Sequence, residues 1–137
     1  MKPLIKQLLR ENFDVTERRK AYPQYIKLFI EFTKKELNIK GKIVVKLTNS
    51  RKELTTTALY DLKEYPNIII YNKDRALVDL CRSTGHEMFH LKQNEDGRLN
   101  NPNEQGKDGS DIENEANAMA GILIRKFGKL HKEIYTL

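Results

Sequence analysis

The chain has 137 residues, of which 32% are charged, with a formal net charge of +6, three histidines and one cysteine. This length fits a single domain, 1–137, with a modest core. One cysteine excludes an internal disulfide framework, and no apolar run approaches the length of a membrane span. The first residues lack the apolar core of a signal peptide, so we expect a cytoplasmic protein with no membrane partner, although a virion-associated chain would look the same.

Charge is unevenly distributed along the chain. Residues 1–65 hold fifteen Lys/Arg against eight Asp/Glu and carry +7, whereas residues 66–137 hold ten against eleven and carry −1. The basic side chains, among them Arg18, Arg19 and Lys20, are interspersed with acids and do not form a long block. A solvated basic surface explains this pattern, and the alternative is a docking surface for nucleic acid or an acidic protein.

The N-terminal part, 1–40, is predicted to be helical. A short helix is expected over Pro3–Arg10, and a longer one from Pro23 to about Leu37, because its apolar residues recur at helical spacing. Gly41 follows as a break. Residues 41–73 then predict a small three-stranded sheet. Its strands are expected at 43–47, 55–60 and 67–71, and the last is apolar on both faces and therefore predicted to be buried.

A motif-bearing helix is predicted over 74–94, with Asp74 as its cap. Gly85 costs about 1 kcal/mol of helix propensity there, so we expect a backbone or a substrate to approach it closely. We expect Cys81 to be a small core residue. Gln93, one turn past His90, is expected at the surface, and the alternative is that it lines the cleft. The predicted buried stripe consists of Leu77, Leu80, Thr84, Met88 and Leu91.

A polar loop over 95–110 is expected to join this helix to a second one, 111–128. Ser110 is a good N-cap, and Gly128 is a natural residue to end the helix. The apolar tail that follows, with Leu130, Ile134, Tyr135 and Leu137, is expected either to dock on the core or to cover a cleft.

The most informative stretch is His86-Glu87-Met88-Phe89-His90. On a helix it places two imidazoles four residues apart on one face, with the carboxylate of Glu87 beside them. This is the arrangement of a zinc hydrolase, in which the two histidines bind the metal and the glutamate is the general base. The pattern needs a third ligand, because a catalytic zinc takes three protein ligands and keeps one position for water.

Two glutamates of the second helix compete for the role of third ligand. Glu113 stands three residues after Ser110, where a capping box gives it a structural reason to exist. Glu115 lies next to the apolar stripe, where a carboxylate is costly unless it is paired or metal-bound. The pattern therefore favours Glu115 as the ligand, and an ordinary ion pair of Glu115 is the alternative.

The histidine motif followed by a downstream glutamate on its own helix resembles the gluzincin metallopeptidases. Asn114-Glu115-Ala116 is similar to the asparagine-glutamate-alanine motif of thermolysin-like members, and the stretch from Glu113 to Ala120 resembles the second motif of ImmA/IrrE-type peptidases. The small size is that of the minigluzincins. The resemblance spans about residues 66–128 and implies a zincin-like α+β fold. It also implies Zn²⁺ bound by His86, His90 and Glu115, with Glu87 as the general base. Met119 departs from the aspartate of thermolysin-like members.

The expected function is that of a zinc metalloendopeptidase acting on a peptide or protein substrate. A zinc-activated water would attack the scissile carbonyl while Glu87 handles its proton. Side chains that could donate to the oxyanion include Tyr71, His131 and Tyr135, and strand 55–60 could bind an extended substrate. The alternatives are a protease for nucleic-acid-bound proteins and a non-catalytic, metal-stabilised interaction or virion module. Neither the substrate nor the oligomeric state follows from the sequence.

Overall fold

The computed structural model describes residues 15–50, 58–60, 65–99, 105 and 109–137. The predicted helix over Pro3–Arg10, the first half of the predicted strand 55–60 and half of the predicted loop over 95–110 lie outside these residues. No helix in the described part is long and apolar enough to cross a membrane. The α+β class is confirmed, since the chain is mostly helical with a small sheet.

The described chain begins with two helices, α1 (Val15–Arg19) and α2 (Tyr22–Leu37). Pro23 lies in the first turn of α2, where its fixed φ favours the helix and its missing N–H leaves no bond unmade. The helix ends at Leu37, four residues before Gly41, because Asn38 adopts a left-handed conformation with φ of 54°. The Asn38 N–H donates back to carbonyls of the last turn, which closes the helix as a left-handed cap does.

The sheet has β3 (Ile68–Tyr71) in its centre, between β1 (Val45–Thr48) and β2 (Ala58–Tyr60). β1 runs parallel to β3, and β2 runs antiparallel to it. One face of β3 is fully buried through Ile68 and Ile70, and its other face is half-buried.

Asn67 extends the pairing of β1 and β3 beyond the strands themselves. Its Oδ1 accepts from the Val44 N–H at 2.8 Å, and its Nδ2 donates to the Lys42 carbonyl at 2.8 Å. The side chain thus satisfies the backbone groups that precede β1 as a neighbouring strand would.

The central helix, α3 (Leu77–Glu95), begins later than predicted. Asp74 is not its cap, because this residue has φ of 59° and lies in the turn before the helix; Ala76 is the N-cap, and it makes no side-chain capping bond. The predicted apolar stripe is confirmed, since all five of its residues are buried, as is Cys81. α3 packs against α2, the sheet and α4 (Asp111–Leu130).

α4 begins as predicted, with the Ser110 Oγ accepting from the backbone N–H of Glu113 at 3.2 Å. It does not end at Gly128. The helix continues to Leu130, and the missing side chain of Gly128 makes room for the ring of Tyr135, which an added Cβ would overlap. A short 3-10 helix (Lys132–Tyr135) then folds back, and Ile134 is buried. The apolar tail therefore docks on the core through Ile134 and Leu137, whereas Leu130 and Tyr135 are exposed.

Aromatic rings join α2 to α4 above the middle of α3. Phe29 and Phe127 meet edge to face with their centroids 5.2 Å apart. A Cβ on Gly85 would lie 3.2 Å from the Phe29 ring. The close approach expected at Gly85 is therefore made by a packed side chain, and not by a backbone or a substrate.

Candidate metal centre

The two histidines of the motif lie on one face of α3. Their Nε2 atoms are 3.0 Å apart, and their rings meet edge to face at 4.6 Å. His90 is almost fully buried, whereas His86 is half-buried toward the opening of the site. This is the geometry expected of residues four apart in a regular helix.

α4 brings one carboxylate to these nitrogens, that of Glu113. Its Oε2 lies 3.1 Å from the His86 Nε2, and its Oε1 lies 3.0 Å from the His90 Nε2. The three donor groups fall within 4.8 Å of one another. Ligands at ordinary zinc bond lengths in a tetrahedron stand about 3.3 Å apart, so the three residues could hold a metal ion after small adjustments.

The prediction of Glu115 as the third ligand is wrong for this cluster. Side chains two positions apart on a helix are rotated by about 200° from each other, so Glu113 and Glu115 cannot share a face. Glu115 instead forms a bidentate ion pair with Arg98, at 2.5 and 2.6 Å. This ion pair lowers the pKa of Glu115, mainly through the hydrogen bonds from Arg98. The predicted capping box is only half formed, because the Glu113 side chain faces the histidines.

Glu87 lies at the edge of the cluster in a buried position. It is 7% exposed, and its Oε1 is 4.0 Å from the His86 Nε2. Burial, followed by the charge of Glu113, raises the pKa of Glu87 to about 8. A carboxyl group whose pKa lies close to physiological pH can both accept and release a proton at that pH.

The pKa of His86 is lowered, first by burial and then by the neighbouring His90. A lowered pKa keeps the imidazole neutral, which is the form that binds metals. Hydrogen bonds to Asn117 and Glu113 oppose this shift. Asn117 stands four residues after Glu113 and so shares its face of α4. Asn117 was not predicted as a site residue, although this spacing could have indicated it.

Gln93 also lies beside the cluster. The surface position that was favoured for it is wrong, because its side chain is fully buried, and the alternative of a place beside the histidines is nearer to the structure. Its Oε1 lies 2.8 Å from the His90 Nδ1, and its Nε2 donates to the Ile112 carbonyl at 3.1 Å. Gln93 follows His90 by three residues, which places both on the same face of α3.

Two of the three predicted oxyanion donors lie far from the cluster. His131 follows Glu113 by eighteen residues, roughly 27 Å along the helix axis, and it packs against Phe127. The Tyr135 hydroxyl donates to the Ile124 carbonyl at 3.4 Å, near the same distant end of α4. Both are therefore excluded as oxyanion donors. Tyr71, at the end of β3, stays a prediction.

The basic stretch near the N-terminus is partly engaged in the fold. Arg19 donates to the backbone carbonyls of Asn72 and Arg75, both at 2.6 Å, and its guanidinium lies over the Tyr22 ring. Lys20 pairs with Glu17 at 2.8 Å. Arg19 thus has a structural role in holding the turn between β3 and α3.

Comparisons of the chain with protein-family models, with curated proteins and with solved structures found no match.

Proposed function

We propose that this protein is a zincin-like, zinc-dependent metallopeptidase. The observation that carries the proposal is the convergence of His86, His90 and Glu113 beside the buried carboxylate of Glu87. Two imidazoles and one carboxylate are a donor set typical of catalytic Zn²⁺, which keeps a further position for water or substrate. The histidines lie on one helix and the glutamate lies on a second, which is the arrangement that the gluzincin resemblance implies.

The chemistry divides between the metal and the chain. Bound Zn²⁺ would polarise the scissile carbonyl and lower the pKa of water at the site. Glu87 is the general base in this scheme: its carboxylate takes a proton from the attacking water and returns it to the leaving amine. The burial of Glu87 favours this task, because electrostatic interactions between the carboxylate and the reacting groups are less screened away from bulk water.

We propose that a peptide substrate binds along the outer edge of β2. In the described part of the sheet β2 is an outer strand, antiparallel to β3, and it packs against α3, which carries the histidines. An extended peptide that adds to such an edge forms main-chain hydrogen bonds largely independent of its sequence. We therefore expect an endopeptidase that needs several residues on each side of the cleaved bond.

The test is hydrolysis of a mixed peptide library by zinc-loaded protein, with cleavage read by mass spectrometry. Glu87→Gln should keep about one zinc per chain and lose at least about 100-fold in kcat/KM, since it removes the base but none of the ligands. Glu31→Gln, the same change at an exposed position of α2, is the matched control and should leave activity unchanged.

Two results would refute the proposal. Full peptidase activity in Glu87→Gln would remove the assigned base. A wild-type protein that binds zinc but cleaves no peptide would point instead to a metal-stabilised interaction module.

A further inference from the structure

We infer that Gln93 is a positioning residue that sets the tautomer and orientation of His90, and that Glu115 and Arg98 hold Gln93 in place from outside. This inference rests on the proposed metal site and goes beyond it, because it assigns roles to three residues that donate no ligand atom. It also gives Glu115, the residue that the sequence favoured as a ligand, a different function in the same site.

The direction of the Gln93 amide follows from its neighbours. The Ile112 carbonyl can only accept a hydrogen bond, and the Gln93 Nε2 donates to it at 3.1 Å. The Gln93 side chain also contributes to the lowered pKa of Glu115, which agrees with the nitrogen end of the amide facing that carboxylate. The nitrogen end of the amide therefore faces α4, and the oxygen end faces His90.

The tautomer of His90 follows from the direction of that amide. An amide oxygen only accepts, so the His90 Nδ1, 2.8 Å away, must carry the proton and donate it. In the neutral ring the Nε2 then bears the lone pair, and it is the Nε2 that faces His86 and Glu113. A histidine whose second nitrogen is held in this way presents the correct atom to a metal without a tautomer change.

The outer pair keeps Gln93 in this position. The guanidinium of Arg98 holds both oxygens of Glu115, and the backbone N–H of Arg98 donates to the backbone carbonyl of Gln93 at 2.9 Å, which fixes the main chain from which the Gln93 side chain extends. Arg98 lies just beyond the end of α3, and Glu115 lies in the first turns of α4. The contacts thus connect the two helices that supply the ligands, and they connect them through Gln93.

The first measurement is the tautomer of His90 in metal-free Glu113→Ala protein, by nitrogen-15 NMR of the imidazole ring at about pH 8. This background removes the carboxylate that lies 3.0 Å from the His90 Nε2 and competes with Gln93 for the ring proton. We expect the proton on Nδ1. In the same background Gln93→Met, which has a similar volume but no amide, should shift the ring toward the Nε2–H form. Gln93→Glu, which restores an acceptor for the Nδ1–H, should return it. Gln24→Met, the same change at an exposed position of α2, is the control.

The second measurement is zinc affinity by competition with a chromogenic chelator. Gln93→Met should weaken binding 10- to 100-fold, as removal of an outer-sphere partner typically does, and Gln24→Met should not change it. A His90 proton on Nε2 in the Glu113→Ala protein would overturn the inference, and so would Gln93→Met with wild-type zinc affinity. If wild-type protein binds no zinc, the proposed function fails while the NMR result still decides the role of Gln93, even if Gln93→Met does not fold.

Discussion

Glu113 and Glu115 are separated by one residue, yet they have opposite surroundings. Glu113 is directed between two imidazoles, and Glu115 is held at the surface by Arg98. The difference arises from the rotation of about 100° per residue in a helix, which turns any two such side chains away from each other. The identity of the third ligand is therefore a question about which face of α4 packs on α3.

Paired substitutions of these glutamates test the assignment. Glu113→Gln should weaken zinc binding at least about 100-fold, because a neutral amide replaces an anionic ligand. Glu115→Gln should still bind one zinc per chain, with at most about a tenfold loss from the disturbed Gln93. Metal content after dialysis measures both. Retained zinc in Glu113→Gln together with lost zinc in Glu115→Gln would reverse the assignment.

Cys81 gives a pH-dependent prediction at the same scale. Burial raises the pKa of its thiol from the usual 9.0 to about 12. Well below pH 9 the thiol is almost entirely neutral in both states and has little effect on stability. Between about pH 9 and 12 only the unfolded chain loses the proton, so stability falls as the pH rises, and Cys81→Ala should reduce this slope.

Alkylation gives a direct measurement of the same effect. At pH 8 native Cys81 should react with iodoacetamide roughly 1000-fold more slowly than it does in urea-unfolded protein, because the reactive thiolate is scarce and buried. Rapid alkylation of the folded protein would contradict the burial of this thiol.

At the scale of elements, α3 is organised around a glycine in its middle. Gly85 leaves space for Phe29, whose ring also contacts Phe127 of α4. The helices α2, α3 and α4 can therefore approach one another closely at Gly85, the residue directly before His86. The helix propensity that glycine loses is offset by the closer packing it permits.

Two glycine substitutions separate these effects. Gly85→Ala adds a Cβ 3.2 Å from the fully buried Phe29 ring, so overpacking should exceed the propensity gain and destabilise the protein by about 1 kcal/mol. Gly121→Ala, in α4 with nothing within 4 Å of the added Cβ, should stabilise it by up to about 1 kcal/mol. Urea unfolding measures both. A stabilising Gly85→Ala would show that Phe29 yields freely.

At the scale of the whole molecule, the candidate site joins two helices that are distant in sequence. The histidines belong to α3 and Glu113 belongs to α4, and between them lies the stretch of chain of which the structure describes only residues 95–99, 105 and 109–110. A metal bound to both helices favours the folded state, since no preformed site exists in the unfolded chain.

Zinc should therefore stabilise the protein against heat. At a free concentration 100 times the Kd the gain is about 2.7 kcal/mol, which for a domain of this size raises the Tm by roughly 10 °C. Calorimetry with zinc, and then with excess chelator, measures the change and its reversal. Glu113→Gln, with at least about 100-fold weaker binding, should gain at most about 0.4 kcal/mol at the same zinc concentration. An equal response in this variant would place the metal elsewhere.

The sequence by itself determined the features that depend on neighbours along the chain. The histidine face, the apolar stripe of α3, the Ser110 cap, the start of α2 and the central strand are local patterns, because helix and strand periods fix which side chains share a face. The motif helix and its two histidines were therefore predictable, and so was a glutamate from the next helix.

Only the tertiary structure decided which partners meet across elements. The rotation of α4 against α3 selects Glu113, and the same packing buries Gln93, which the local pattern assigned to the surface. It also extends α4 past Gly128, since the glycine is needed for Tyr135 and not for a helix end. These outcomes depend on contacts between residues far apart in sequence, and the free energy of such contacts exceeds the weak local preferences of a carboxylate, an amide or a glycine.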